Sequence, residues 1–296
     1  MSNAVVANLA YEEIKPKIGA RILCSKEELL GAVYAEVLRE LLEYRGVLVF
    51  PEVHFTDEEQ IAFTRTLGNF AAERSSAGGV YKVTLDKSQT ASAEYLKAAF
   101  YWLFDGYVND VPIRASLLSC KVAAPTGGNT EFANTYAAYQ ALPNDRKALI
   151  ANLKAVHSLA ASQLYVEPQP TAEQFATWKK VGRNTLPLVW THLSGRKSLA
   201  VGCSIANVLD MDPMDGLELI HWLRDWATQE EFRYSHQWKV GDAVMWDNTG
   251  TLHRAMPYPL NCGRMMHRTG LPPVGLTLTG LNLRPLWVDT TLSPVE

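Results

Sequence analysis

The sequence is poor in cysteine, and its four cysteines (Cys24, Cys120, Cys203 and Cys262) stand far apart with no C-x-x-C pair. That spacing fits neither the common zinc sites nor a disulfide framework, and reduced thiols in a cytoplasmic protein are the expectation. A surplus of positive charge is also missing, because 28 Lys and Arg face 31 Asp and Glu for a formal net charge of -3. Nucleic acid is therefore not an expected partner, since nothing in the balance would neutralise a run of phosphates. A local basic patch for one small anion is not excluded by it. No apolar run approaches the length of a membrane span, and Met1 to Ala10 holds no basic segment followed by an apolar one. Neither a membrane nor a secretory leader is expected. Repeats, low-complexity segments and a linker between domains are absent as well.

What is present reads as globular. A chain of 296 residues with 47% hydrophobic and 20% charged side chains can bury a sizeable core and still keep a pocket. One domain over residues 1–296 is expected, with a core at about 20–271 and a peripheral tail at 272–296. Near the N-terminus two capping boxes announce helices. Ser25 with Glu28 opens one carrying Leu30, Tyr34, Val37, Leu38 and Leu41 at helical spacing until Gly46, and Thr56 with Glu59 opens one that ends at Gly68. Between them Val47–Phe50 is a short buried strand. From residue 112 onward, apolar or alternating runs separated by turn residues predict strands. They fall at Ile113–Ala123, Ala155–Leu159, Pro187–His192, Ser198–Gly202, Glu231–Trp238, Asp242–Trp246 and Arg264–Leu271, after an earlier one at Val80–Leu85. Helical inserts are expected at Thr135–Leu153, broken at Pro143, and at Met214–Thr228. Many strands, few helices and irregular connections predict a mainly β fold with peripheral helices, a barrel or jelly roll.

Four segments carry possible chemistry: Tyr101-Trp102-Leu103-Phe104-Asp105-Gly106, Gly127-Gly128-Asn129-Thr130-Glu131-Phe132-Ala133-Asn134, Trp246-Asp247-Asn248 with His253-Arg254-Ala255, and Gly263-Arg264 with His267-Arg268. Singly, each has a plainer explanation. An Asp after aromatics is commonly a turn residue, a lone His a surface or hydrogen-bonded one, and Gly-Gly-Asn a loop. Arg264 and Arg268, four apart on a strand, would share one face, solvated or not.

Together, in order and spacing, these segments resemble the taurine dioxygenase (TauD/TfdA) family. The likeness runs from Gly46-Val47-Leu48-Val49-Phe50-Pro51 through Trp238-Lys239-Val240-Gly241-Asp242 to Arg268, with the aryloxyalkanoate-degrading members nearer than the taurine enzymes. The resemblance implies a double-stranded β-helix (jelly roll, cupin-like) fold, Fe(II) as metal, 2-oxoglutarate and O₂ as cosubstrates, and a small-molecule substrate. Such enzymes hold iron with two histidines and one carboxylate on one face, leaving the opposite positions open. Asp105 then matches the carboxylate and His253 the distal histidine. Arg264 matches the buried cation that grips the far carboxylate of 2-oxoglutarate, a task suited to a planar, permanently charged fork. Thr130 matches the hydroxyl donor to the same carboxylate, and Arg268 a contact to an anionic substrate or a second strut beside Arg264. Trp102, Phe104 and Tyr107 are candidates for an apolar wall, with Trp102 and Tyr107 as substrate contacts, or for core packing. Segments 69–100 and 160–186 are where a lid would lie. By resemblance alone, a homo-oligomer is expected.

One position departs from the pattern. Leu103 stands two before Asp105, where the family has its first histidine ligand, and no other histidine is an evident substitute. Iron would be held weakly or not at all, whereas 2-oxoglutarate could still meet Arg264 and Thr130. Three readings stay open: an oxygenase oxidising a C–H bond at a two-residue metal site, a non-oxidative enzyme or binding protein on the same fold, or an inactivated variant of an ordinary dioxygenase.

Overall fold

The computed structural model describes residues 9–68, 79–90, 92–109, 113–192, 194–271 and 282–283. Sixteen strands are described in chain order: β1 (Tyr11–Lys15), β2 (Ile18–Ile22), β3 (Val47–Phe50), β4 (Tyr81–Val83), β5 (Ala115–Val122), β6 (Thr130–Asn134), β7 (Lys154–Ser158), β8 (Arg183–Pro187), β9 (Val189–His192), β10 (Lys197–Leu199), β11 (Ile205–Val208), β12 (Arg233–His236), β13 (Ala243–Asp247), β14 (Thr251–Ala255), β15 (Met265–Leu271) and β16 (Asn282–Leu283). Seven form one large sheet in the order β1-β2-β3-β13-β5-β15-β4, and β12-β6-β14 form a small sheet. Two further three-stranded sheets, β10-β9-β16 and β11-β7-β8, flank them. This is the mainly β, jelly-roll architecture, with helices around it.

Alternation along the strands explains why Val47–Phe50 is buried throughout. Val47 and Val49 join Leu118, Cys120, Phe132, Val244, Trp246 and Met266 in a core between the large and small sheets. Leu48 and Phe50 point the other way, with Leu117 and Met245, into a second core under the N-terminal helices. A sheet covered on both faces reads as a continuous apolar run rather than an alternating one. Both capping boxes form, at Ser25/Glu28 and at Thr56/Glu59. The first helix is interrupted, however: it runs Lys26–Leu30 and resumes at Ala35–Arg45, with Ala32 left-handed (φ 58°) between the pieces.

The expected insert at 135–153 is two helices, Thr135–Ala141 and Asn144–Ile150, on either side of Pro143, and the later one spans Pro213–Ala227. The run Pro187–His192 is divided between β8 and β9, and Glu231–Trp238 begins as a 3-10 turn before β12. Several elements were not expected from the sequence: the β1–β2 hairpin, β11, β14, and above all β6, which lies inside the Gly-Gly-Asn segment expected to be a loop. Of the expected tail, only Asn282 and Leu283 are described, where β16 runs parallel to β9. The rest of 272–296 lies outside the described residues, as do 69–78 and 91 of the expected lid segment. No described helix is long and apolar enough to cross a membrane, and all four cysteines are unpaired.

Candidate functional site

The large and small sheets open at one end onto a cavity of about 220 Å³. β14 brings His253 to its wall and β15 brings Arg268, with Arg264 just before that strand. β6 contributes Thr130, and the extended segment after Tyr101 contributes Leu103, Asp105 and Tyr107. That segment is fastened to β14 by a reciprocal pair of hydrogen bonds, Leu103 N to His253 O (3.0 Å) and His253 N to Leu103 O (2.9 Å). Directly opposed residues on antiparallel strands present their side chains on the same face, and so does the residue two further on. Leu103, Asp105 and His253 therefore face one space.

Trp102 and Phe104 are turned away by the same alternation. Trp102 is not among the residues lining the cavity. Its ring lies under the Arg254 guanidinium, 4.6 Å from centroid, facing a separate cleft. Phe104 packs edge-on against Trp190 and His157 in the core. Nearness in sequence to Asp105 gave the reading of Trp102 as a substrate contact, and the pleat puts it on the other side.

Asp105 is held from several directions. Ser116 Oγ donates to its Oδ2 (3.0 Å), Asn248 Nδ2 donates to Ser116 Oγ (2.8 Å), and Trp246 Nε1 donates to Asn248 Oδ1 (2.7 Å). The Asp105 backbone N–H also reaches Asn248 Oδ1 at 3.3 Å. Arg268 Nη1 lies 3.1 Å from Oδ1 and 3.2 Å from Oδ2. Burial alone would raise the Asp105 carboxyl; the Arg268 guanidinium, His253 and the Ser116 hydroxyl outweigh it and hold the group below the usual range, as a carboxylate. Ser116, Asn248 and Trp246 escaped the sequence reading of the site because their roles depend on the β5–β13 pairing. The Trp-Asp-Asn segment was the only signal for two of them.

His253 is the other available donor. Burial pushes its pKa down to about 4, so the ring is neutral, and its Nδ1 is buried without a hydrogen-bond partner among the described residues. Its Nε2 lies 3.9 Å from Asp105 Oδ2, and the ring packs against Trp246 at 4.8 Å between centroids. A neutral imidazole and a carboxylate facing one space are donor types that two positions of one first-row metal take. Leu103 lines the same space with an isobutyl group, which has no donor atom. Among the described residues no three His, Cys, Asp or Glu side chains converge. The other six histidines are placed elsewhere: His157 and His192 bond to Ser204 and Ser198, His236 to Asp242 and His267 to Asp57, while His54 lies against Gly241 and His221 is exposed on the helix Pro213–Ala227.

At the neighbouring wall, Arg264 is 4% exposed, donates to Gly128 O at 3.3 Å and lies over the Tyr258 ring. No carboxylate pairs with it among the described residues. A buried guanidinium left in that state calls for an anion, because an unpaired buried charge is costly. Thr130 stands in the same wall, and its Oγ1 accepts from Trp238 Nε1 (2.9 Å), which leaves the hydroxyl hydrogen to donate. Gly128 makes room for this cation. Gly128 has φ +70°, and a Cβ there would lie 3.3 Å from Arg264 Nε and 3.0 Å from Ala124 Cβ. The rest of the cavity is largely apolar, closed by Tyr95, Leu96, Ala98 and Ala99 of a 3-10 helix (Tyr95–Phe100) and by Leu159, Ser162 and Gln163 of the helix beginning at Leu159.

A family model described as taurine catabolism dioxygenase TauD, TfdA family matches residues 10–269. Among curated proteins, an alpha-ketoglutarate-dependent 2,4-dichlorophenoxyacetate dioxygenase of Cupriavidus pinatubonensis is 33% identical over 264 residues, 81% of this chain and 89% of its own length. An (S)-phenoxypropionate/alpha-ketoglutarate-dioxygenase of Sphingobium herbicidovorans is 34% identical, covering 81% of this chain and 86% of its own. Among solved structures, AAD-2 in complex with Mn(II) and N-oxalylglycine superposes with a TM-score of 0.82 at 30% identity, over 92% of this chain and 100% of that one.

Proposed function

Because the chain belongs to the TauD, TfdA family of 2-oxoglutarate-dependent dioxygenases, we propose that it oxidises a C–H bond of a small organic anion at a metal site with two protein ligands, coupled to decarboxylation of 2-oxoglutarate to succinate. The observation that carries the reading is the buried Arg264 with no carboxylate partner among the described residues, beside a Thr130 hydroxyl free to donate. A dicarboxylate with one end in that wall would extend its other end into the cavity that Asp105 and His253 share. N-oxalylglycine, bound in the AAD-2 structure, is an analogue of 2-oxoglutarate.

Asp105 and His253 are the residues that would hold the metal, which when bound supplies the site for the keto acid and for O₂ activation. The chain's own contribution is positioning. Ser116 and Asn248 keep the Asp105 carboxylate aimed at His253. Leu96, Leu103, Leu118 and Trp246 exclude water from the space between them, and Arg268 supplies a cation for an anionic substrate group. The two curated relatives are named for substrates that combine an aryl ether with a carboxylate, which matches an apolar cavity with an arginine in its wall. The test is succinate formation from 2-oxoglutarate by the unmodified chain with Fe(II), ascorbate and 2,4-dichlorophenoxyacetate as the probe substrate. Succinate above the level of an Arg264→Ala control is expected. No succinate from the unmodified chain at millimolar Fe(II) would overturn the reading.

A further inference from the structure

Both oxygens of Asp105 already have a cation beside them. Arg268 Nη1 is within 3.1 and 3.2 Å of the pair, and its guanidinium is steadied by the face of Tyr81, 5.0 Å from the ring centroid. Tyr81 and Arg268 are opposed residues on β4 and β15, so the stacking is built into the sheet register. The Arg268 side chain is only 17% exposed and lies in the wall of the same cavity as Asp105, His253 and Leu103. A carboxylate offers about four lone-pair directions. Here Ser116 takes one on Oδ2 and Arg268 approaches both oxygens, which leaves a metal to compete with a guanidinium for the ligand it needs.

We propose that Arg268 is a positioning residue that closes Asp105 against a metal ion, and that an anion entering the cavity opens the site by drawing the guanidinium away. The inference rests on the proposed two-ligand site. With three protein ligands a metal would displace an arginine from one carboxylate readily. With Leu103 in place of the third donor, the ion pair and the metal are more evenly matched. The competition is electrostatic and local, because a guanidinium and a metal cation at one carboxylate repel each other at close range. An anion that pairs with Arg268 removes that repulsion, so anion and metal favour each other's binding by the same factor.

Mn(II) binding, read from the free-ion electron paramagnetic resonance signal, tests this without any oxygen chemistry. The proteins compared are the unmodified chain, Arg268→Gln and Arg268→Met, the last keeping an unbranched stem against Tyr81, and the same three with Leu103→His. Losing the guanidinium is expected to tighten Mn(II) by about tenfold or more in both backgrounds. Excess 2,4-dichlorophenoxyacetate is expected to tighten it where Arg268 is present and to do nothing in Arg268→Gln. Unchanged or weaker Mn(II) binding in both Arg268 variants of the Leu103→His protein would overturn the closure. An affinity insensitive to the anion with Arg268 in place would overturn the opening, and that arm needs no substitution at all. If the Leu103 proteins bind no Mn(II) with or without Arg268, the two-ligand site falls, while the closure is still decided by the Leu103→His pair.

Discussion

An isobutyl group offers no donor atom, yet the backbone that carries it at Leu103 is held firmly. Leu103 keeps both hydrogen bonds to His253, and Asp105 keeps its Ser116 and Asn248 support. For that reason the motif could be followed in the sequence across its own defect: Asp105, His253, Thr130, Arg264 and Arg268 line one cavity, as does Tyr107. Trp102 was not legible in the same way, since a contact read from sequence distance ignores the pleat, and Ser116 carried no signal until β5 met β13. A guanidinium can grip a carboxylate through two parallel N–H bonds and a lysine cannot. Arg264→Lys, which keeps the charge, is expected to raise the Kd for 2-oxoglutarate roughly tenfold, the value of about one charge-assisted hydrogen bond. Isothermal titration with N-oxalylglycine and Mn(II) measures it, and an unchanged Kd would remove Arg264 from the cosubstrate wall.

Among the elements, those with local chemistry were readable and those defined by distant partners were not. Two capping boxes marked two helix starts, and apolar runs marked β3, β5, β13 and β15 of the large sheet to within a few residues, though not its β1–β2 edge. β6 was hidden because Gly127-Gly128-Asn129 reads as a loop and the five residues after it owe their strand conformation to β12 and β14 on either side. The first helix read as continuous because its apolar spacing does not register the left-handed Ala32. Gly128 connects element to site. Its φ of +70° disfavours any Cβ, and the Cβ would also press on Arg264. Gly128→Ala is therefore expected to cost about 1 kcal/mol or more in urea unfolding. It should also weaken N-oxalylglycine binding, whereas Gly195→Ala, left-handed but with open space around its Cβ, should show only the first effect. Equal binding in the two variants would separate Gly128 from the arginine.

For the whole molecule, three of the buried histidines among the described residues weaken the fold in acid. Burial holds His157 and His192 down to about 3 and His253 to about 4, while each takes up its proton near 6.5 in the unfolded chain. The unfolded state thus binds more protons below that pH. The stability is complete above about pH 6.5 and is lost as the pH falls through 4 toward 3, with each histidine contributing up to about 1.4 kcal/mol per pH unit. Urea titrations at pH 7, 6 and 5 should show that decline. His157→Phe, which replaces a ring whose Nε2 is buried without a partner among the described residues, should flatten it by about one proton; a slope the same in both proteins would contradict the assignment.

The two-ligand site itself is tested most directly without turnover, by anaerobic titration of the unmodified chain with Fe(II) in the presence of 2-oxoglutarate. The weak visible charge-transfer band of a keto acid chelated to iron is expected, saturating at higher Fe(II) than in Leu103→His. A band in Leu103→His with none in the unmodified chain at any Fe(II) concentration would contradict it.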